Sequence, residues 1–308
     1  MKTKAELQND IDAMIKSGLN MQLYLGYGKS FQRKYLLADL DENATKEVCS
    51  NYIKNVKQFF ADDELSLLKL SQIDGRENVL YEYDFDSEPK EFETLKKVAV
   101  ADEHDVFSFD ENKLEHLEAI AIRISSHEKN VVFFKRFYPV LLVKRDTTML
   151  VLNDAKRFTQ VKQDVLRVTN GFDVMMMDGS FYINGFKKFE DAFGFTEVAE
   201  ANKKALVATV LGLSLIDNSK GFFTELNVSN REVIRAKSSP VLNVSKEDIL
   251  KFVAAKEKQL KLKVKDGLIQ LTSKASIARF MKLLNDDILT SELTHIDYET
   301  LAKDKLEK

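Results

Sequence analysis

The clearest pattern of apolar and polar positions lies between Gln160 and Phe195 and predicts strands followed by a short helix. Asn170-Gly171 and Asp178-Gly179 are hairpin signals, because both dipeptides tolerate the positive φ of two-residue primed turns. The apolar runs FDVMMM and FYI flank the second turn. We therefore predict a three-stranded antiparallel meander with both glycines at positive φ. Phenylalanines at i, i+3 and i+7 then predict an amphipathic helix with Phe186, Phe189 and Phe193 in the core.

The rest of the chain alternates between helical and extended patterns up to about residue 185 and is mainly helical afterwards. Helices are predicted at residues 4–17, from about Asn43 to Phe60 with Asn43 or Thr45 as the cap, near Glu91, over Val198–Ile216, after a Ser245 cap, and around Phe280. Predicted strands are MQLYLGY, KYLLADL, ENVLYEYDF, HLEAIAIRIS, NVVFFKRFY and TMLVL, with a late hairpin at Asp266-Gly267. This order predicts an α+β fold: an antiparallel, strand-rich N-terminal and central part, then a helix-rich C-terminal part.

The composition predicts the cellular compartment of the protein. The chain of 308 residues is 44% hydrophobic and 31% charged, which is typical of a soluble globular protein. Its one cysteine, Cys49, lies on the apolar stripe of a predicted helix, so we expect a structural role and a reducing, cytoplasmic compartment. The longest apolar run, residues 205–216, is shorter than the roughly 20 residues that span a bilayer. We expect no signal peptide and no membrane span.

Charge is distributed unevenly along the chain. Residues 41–128 carry 10 basic and 22 acidic residues, whereas residues 129–168 carry nine basic and three acidic residues. This asymmetry favours two regions, an acidic N-terminal α+β region at 1–128 and a basic core region at 129–308 with the central meander and the C-terminal helices. The strand signals continue across the boundary, which argues against a flexible joint.

The basic segment, residues 129–168, is the candidate binding site. Cations neutralise phosphates and release counterions, while interleaved aromatics can stack on exposed bases. The alternative is a solvated face over a core, and strand alternation lets each Lys-Arg pair offer only one member to a flat ligand. The candidate DNA-binding residues are Lys135, Arg136, Lys144, Arg145, Lys156, Arg157, Lys162 and Arg167.

Other chemical motifs are incomplete. GYGKS at 26–30 resembles the end of a phosphate-binding loop, but Leu23 stands where the first glycine belongs and a strand is predicted to follow. The acidic residues from Glu82 to Glu88 have Pro89 where a calcium loop needs glycine, so a solvated acidic edge or a nucleic-acid mimic is the better interpretation. The four histidines show no ligand spacing. We therefore predict no cofactor, no metal and no enzyme, with an unrecognised metal-dependent nuclease and a protein-binding scaffold as alternatives.

The central stretch also resembles a known family. VLRVTNGFDVMMMDGSFYINGFKKFEDAFGF is similar to the core of KwaB proteins, the soluble component of the two-gene Kiwa anti-phage defence system. The matching positions are Tyr182-Ile183-Asn184, Phe189-Glu190, Phe193 and Phe195. These residues are apolar or structural, and the resemblance brings no catalytic residues.

The resemblance implies a cytoplasmic anti-phage effector that binds DNA. It implies a small multi-pass membrane partner that helps to sense infection at the inner membrane, where this component could be recruited. It also implies self-association as a homodimer and interference with phage DNA replication or expression. The basic segment is an independent reason to expect DNA as a ligand.

Overall fold

The chain folds as an α+β protein, as the sequence predicts. The structure is a computed structural model that describes residues 2–17, 19–29, 32–100, 104–108, 110–126, 129–138, 142–143, 149–152, 157–161, 165–218, 221, 223, 228–301 and 303. The helices are α1 (Lys4–Lys16), α2 (Glu42–Ala61), α3 (Lys90–Val100), α4 (Phe186–Phe193), α5 (Thr196–Gly212), α6 (Asn230–Lys237), α7 (Lys246–Ala255), α8 (Glu257–Leu260) and α9 (Lys274–Leu284).

The strands occur mainly before residue 185. They are β1 (Asn20–Tyr27), β2 (Lys34–Leu37), β3 (Ser66–Lys69), β4 (Val79–Glu82), β5 (Leu117–Ser125), β6 (Asn130–Arg136), β7 (Leu142–Val143), β8 (Met149–Leu152), β9 (Phe158–Val161), β10 (Val165–Leu166), β11 (Val174–Met177), β12 (Ser180–Ile183), β13 (Ile216–Asp217), β14 (Val264–Lys265), β15 (Leu268–Gln270), β16 (Ile288–Thr290) and β17 (Asp297–Glu299). Single 3₁₀ turns lie at Leu70–Gln72, Leu114–His116 and Pro240–Asn243.

The chain divides into two compact units. Unit 1 comprises Met1–Leu67, Asn78–Tyr83 and Glu88–Phe195, and unit 2 comprises Leu68–Glu77, Asp84–Ser87 and Thr196–Lys308. The change from acidic to basic composition at residue 128 is not a boundary between the two units. Strands β5 and β6 pair across it, with Ala119 opposite Arg136. Most of the acidic region, all but Leu68–Glu77 and Asp84–Ser87, therefore belongs to unit 1 together with the basic segment.

An eight-stranded sheet organises unit 1, in the order β2-β1-β5-β6-β11-β12-β4-β3. One face carries Phe133, Met175 and Tyr182, which join the core formed with α1 and α2. On the other face, Phe181 stacks on Phe92 of α3 with ring centroids 3.6 Å apart. Because both faces are covered, the central strands are continuously apolar, which explains the run FDVMMM.

The predicted meander is only half correct. Asp178 and Gly179 have φ of 50° and 79° and join β11 to β12 by the expected turn. The strand before Asn170-Gly171 does not pair with β11, however, because β11 pairs with β6 and β10 pairs with β7. Gly171 is not at positive φ, so that part of the prediction is wrong.

Strands β7 to β10 form nested antiparallel pairs between β6 and β11. Val143 lies opposite Val165, and Met149 lies opposite Val161. In the main sheet, Phe134 of β6 lies opposite Val174 of β11. We call β7–β10 the arm. It is a hairpin excursion that separates two neighbouring strands of the sheet.

Helix ends follow the side chains that cap them. The cap of α2 is Asp41, whose Oδ1 accepts the Ala44 N–H at 2.8 Å, and neither Asn43 nor Thr45 has this role. Ser245 caps α7 as predicted. The helix predicted over Val198–Ile216 ends earlier, at Gly212, and Ser214 follows at a φ of 51°.

Unit 2 has its own core beneath α5, α6, α7 and α9. Leu206, Val233, Val253 and Phe280 are buried together in it. A small sheet in the order β13-β15-β14 and the hairpin β16–β17 complete the unit. The turn at Asp266-Gly267 joins β14 to β15 with both residues at positive φ, as predicted.

Candidate nucleic-acid interface

The alternation of β6 separates the first pair of predicted cations. Phe133 and Phe137 belong to the core on the α1 and α2 side of the sheet, and Lys135 points to that same side. Arg136 points to the opposite side, where its guanidinium lies 3.3 Å from the carboxylate of Asp191 on α4 and 5.5 Å from the ring centre of Tyr138. Lys135 and Arg136 therefore face opposite sides of the sheet.

Lys135 is partly buried and keeps its charge unpaired among the described residues. Its ammonium forms no hydrogen bond or ion pair with any residue that the structure describes. A Cβ added at Gly171 would lie 3.1 Å from its Nζ, so the ammonium is held beside that glycine. Burial lowers the pKa of Lys135; the nearby carboxylate of Asp173 opposes this shift and the charge of Lys188 adds to it.

Asp173 connects these cations. Its side chain is only 2% exposed. One carboxylate oxygen accepts the backbone N–H of Arg136 at 2.9 Å, and the other accepts Lys188 Nζ at 3.0 Å. Asp173 therefore pairs directly with Lys188, and its charge also acts on Lys135, with which it forms no hydrogen bond.

Hydrogen bonds from neighbouring elements fix this arrangement. The Tyr52 hydroxyl of α2 donates to the Gly171 carbonyl at 2.8 Å. The Asp173 N–H donates to the Phe134 carbonyl, and the Asp173 carbonyl accepts the Asn184 N–H, at 2.8 and 2.9 Å. The backbone that carries Asp173 is thus held from three sides, and the cation cluster of Lys135, Asp173 and Lys188 is positioned by the sheet.

Two further predicted cations lie beside described strands of the arm. Arg157 and Arg167 are exposed, one beside β9 and the other after β10. Next to Arg157, Phe158 is 71% exposed. Four predicted residues lie outside the described part of the chain: Lys144, Arg145, Lys156 and Lys162.

Among the predicted residues that the structure describes, Lys135 belongs to the cation cluster, and Arg136 is linked to it by its backbone N–H, which donates to Asp173. Lys188 and Asp173 were missed by sequence reasoning. The available signal was the dipeptide Lys187-Lys188 on the polar side of a Phe-striped helix, but its pairing with Asp173 depends on the β11–β12 hairpin.

The other motifs have structural roles. Gly26 and Tyr27 of GYGKS end β1, and the next element is the strand β2, as the sequence predicts; Ser30 lies outside the described residues. Asp84 accepts the Ser71 N–H and hydroxyl at 3.0 and 2.6 Å. Burial raises the pKa of the Cys49 thiol. Within the described ranges, no three His, Cys, Asp or Glu side chains are grouped as a metal site, and no helix is long and apolar enough to cross a membrane.

Fold and site together define an α+β protein in which a long antiparallel sheet positions a small cation cluster at the base of a basic hairpin arm. Comparison with known proteins gives the family. The profile of the family described as "Kiwa protein KwaB-like" matches residues 114–294, and the chain belongs to that family.

A curated relative is similar over most of both chains. It is Kiwa protein KwaB from Escherichia coli O55:H7 (strain RM12579 / EPEC), with 26% identity over 287 residues, 88% of this chain and 90% of the relative. No solved structure matches the chain significantly. The family match covers the arm, the cation cluster and most of unit 2.

Proposed function

We propose that this protein binds DNA through phosphate contacts with little sequence preference, as an anti-phage effector of a Kiwa system. Membership of the KwaB-like family implies the part in anti-phage defence. The observation that supports the DNA ligand is the cation cluster, in which Asp173 pairs with Lys188 and also acts on Lys135, a partly buried lysine without a described ion-pair partner.

A phosphate group suits this cluster better than a neutral ligand does. Keeping a partly desolvated ammonium costs free energy, and an external anion recovers it by pairing with the charge. Ammonium groups act as point charges toward phosphate and carry no information about the base sequence. The exposed guanidinium of Arg167 and the exposed ring of Phe158 extend the same surface chemistry along the arm.

The further parts of the proposal follow from the family. We propose that the protein acts in the cytoplasm by binding and without catalysis. A multi-pass membrane protein of the same system recruits it to the inner face of the membrane, and it works there as a homodimer. Bound DNA is then blocked from replication or expression. The arm and the cation cluster supply the DNA contacts in this scheme.

A charge-reversal variant tests the binding site. Replacing Lys135, Arg136, Lys144 and Arg145 with Glu is expected to abolish the gel shift of duplex DNA at fixed salt. The matched control replaces Lys54 and Lys57 of α2 with Glu. Among the described residues, each set removes one exposed ion pair, Arg136–Asp191 at 3.3 Å or Lys57–Asp12 at 3.2 Å, at a cost of about 1 kcal/mol or less for each pair.

Single charge reversals show which of the two neighbouring cations contributes more to binding. Arg136 is already paired with Asp191, whereas Lys135 has no described partner, so Lys135→Glu should weaken binding more than Arg136→Glu does. Melting temperatures accompany every gel shift. The proposal is wrong if the quadruple variant binds like the parent, or if it loses binding only because it unfolds.

Two alternative activities are separated in the same experiments. Incubation of the parent with plasmid and Mg²⁺ should leave the plasmid intact, whereas cleavage would show a nuclease. A protein that gives no gel shift at low salt would be a protein-binding scaffold.

A further inference from the structure

The C-terminal hairpin, residues 287–301, carries its side chains in an unusual arrangement. Ile288 pairs with Glu299, Leu289 with Tyr298, and Thr290 with Asp297. Residues directly opposite each other share one face of a strand pair, and successive residues alternate. One face therefore carries Ile288, Thr290, Asp297 and Glu299, and the other carries Leu289 and Tyr298.

The charged face is directed toward the rest of unit 2. Asp297 forms an ion pair with Lys256, the residue between α7 and α8, whose Nζ also donates to the Thr290 hydroxyl at 2.8 Å. Glu299 pairs with Arg279 of α9 at 3.2 Å and with Lys282. These ion pairs fix which face of the hairpin points inward.

The apolar face is left toward solvent. Among the large apolar side chains of this face and of the tip, the exposed fraction runs from 40% for Leu289 to 91% for Leu293. Ile296 and Tyr298 are each slightly over half exposed. A hairpin with one solvated face normally turns its apolar side to the core. The reversal indicates that another surface covers this face.

The charges of the hairpin restrict which kind of surface can cover its apolar face. Residues 286–302 contain no lysine and no arginine, and they include Glu292 near the tip. Nucleic acids and anionic lipid surfaces need cations for attraction. The hairpin therefore suits a protein surface that is itself apolar.

We propose that the apolar face of the C-terminal hairpin packs against the same face of a second copy of this chain. An apolar face without charges is complementary to itself, which is the requirement of a two-fold interface. Leu289, Ile296 and Tyr298, with Leu293 at the tip, offer on the order of 450 Å² at these exposures, so two copies would bury about 900 Å², the size of a small, reversible interface. This surface assignment rests on the self-association in the proposed function and is independent of DNA binding.

The test measures molar mass over a concentration series by light scattering and sedimentation. The parent is expected to dimerise, and Leu293→Ser combined with Tyr298→Ser should raise the dissociation constant at least tenfold. The control combines Val100→Ser with Val106→Ser, two exposed apolar residues of unit 1, and should dimerise like the parent. Both variants should keep the parent gel shift with DNA, so a failure here is distinguishable from a failure of DNA binding.

A second measurement covers the case in which the double variant misfolds. Leu293→Cys in a Cys49→Ser background should form a disulfide-linked dimer under mild oxidation, while Val100→Cys in that background should not. A monomeric parent overturns the proposal. So does a dimer whose dissociation constant is unchanged by the hairpin substitutions, which would place the interface elsewhere, or the failure of Leu293→Cys to cross-link.

Discussion

At the scale of single residues, Lys135 differs most from an ordinary surface lysine. Its folded-state pKa is lowered by burial from the ordinary 10.5, so folding disfavours its charged form. The folded state then binds this proton less tightly than the unfolded state does. The contribution of Lys135 to the free energy of unfolding therefore rises with pH between its lowered pKa and 10.5. At neutral pH the charge of Lys135 destabilises the folded state.

Lys135→Met should separate DNA binding from stability. We expect DNA affinity to fall at neutral pH because one phosphate contact is lost, while the melting temperature stays the same or rises because the desolvated charge is gone. The parent should lose affinity as pH rises through the lowered pKa of Lys135, and the variant should lack that step. Fluorescence anisotropy across pH, with thermal melts, measures both. Lower stability with unchanged affinity would contradict this account.

Sequence reasoning reached some of this site. A basic strand was predictable from NVVFFKRFY, and strand alternation alone assigned Lys135 and Arg136 to opposite faces of it. Lys188 and Asp173 were not predictable, because both are far from β6 in sequence. They come close to it only because β11 pairs with β6 and with β12. Short-range patterns do not specify which strands become neighbours.

At the scale of elements, local patterns predicted most helices and strands but not all partners. The dipeptide Asp178-Gly179 forms the predicted turn because β11 and β12 flank it directly. Asn170-Gly171 has the same local signal, but the strand before it pairs with β7 in the arm. Turn chemistry permits a hairpin, and long-range pairing decides whether one forms.

A buried ion pair that no local pattern indicated connects β2, α3 and α4. Arg33, which precedes β2, donates to Glu91 at 2.6 Å and to the Ala192 carbonyl at 3.3 Å. The Tyr35 hydroxyl also donates to Glu91 at 3.0 Å, and the Glu91 side chain is 0% exposed. Gly26 leaves room for this group, because a Cβ there would lie 2.9 Å from Arg33 Cδ.

Glu91→Ala should be among the most destabilising single changes in unit 1. It leaves the Arg33 charge buried without its carboxylate, a cost of roughly 3–5 kcal/mol in free energy of unfolding. Glu93→Ala on the same helix removes only an exposed pair with Lys96, at about 1 kcal/mol or less. Urea unfolding measures both. A double variant, Arg33→Met with Glu91→Leu, should recover much of the loss; equal costs for the two single variants would rule out this role for the pair.

At the scale of the whole molecule, charge restricts the proposed DNA binding to a small area. Unit 1 carries 25 basic and 29 acidic residues, and without the basic segment it carries 16 basic and 26 acidic residues. A duplex approaching other parts of this unit would meet a net negative charge. Productive contact is therefore expected only where the arm and the cation cluster supply local positive charge.

The salt dependence of binding should report this confinement. The logarithm of affinity is expected to fall linearly with the logarithm of salt concentration, with a slope of about −0.9 for each phosphate contacted on a duplex. Lys135→Gln and Lys188→Gln should each reduce the magnitude of that slope by about 0.9, and by similar amounts on unrelated DNA sequences. Lys54→Gln, an exposed lysine of α2, should leave the slope unchanged because it lies in the acidic part of unit 1. Anisotropy titrations at several salt concentrations give the slopes. A salt-independent affinity, or a tight preference for one short sequence, would show that phosphate contacts do not carry the binding.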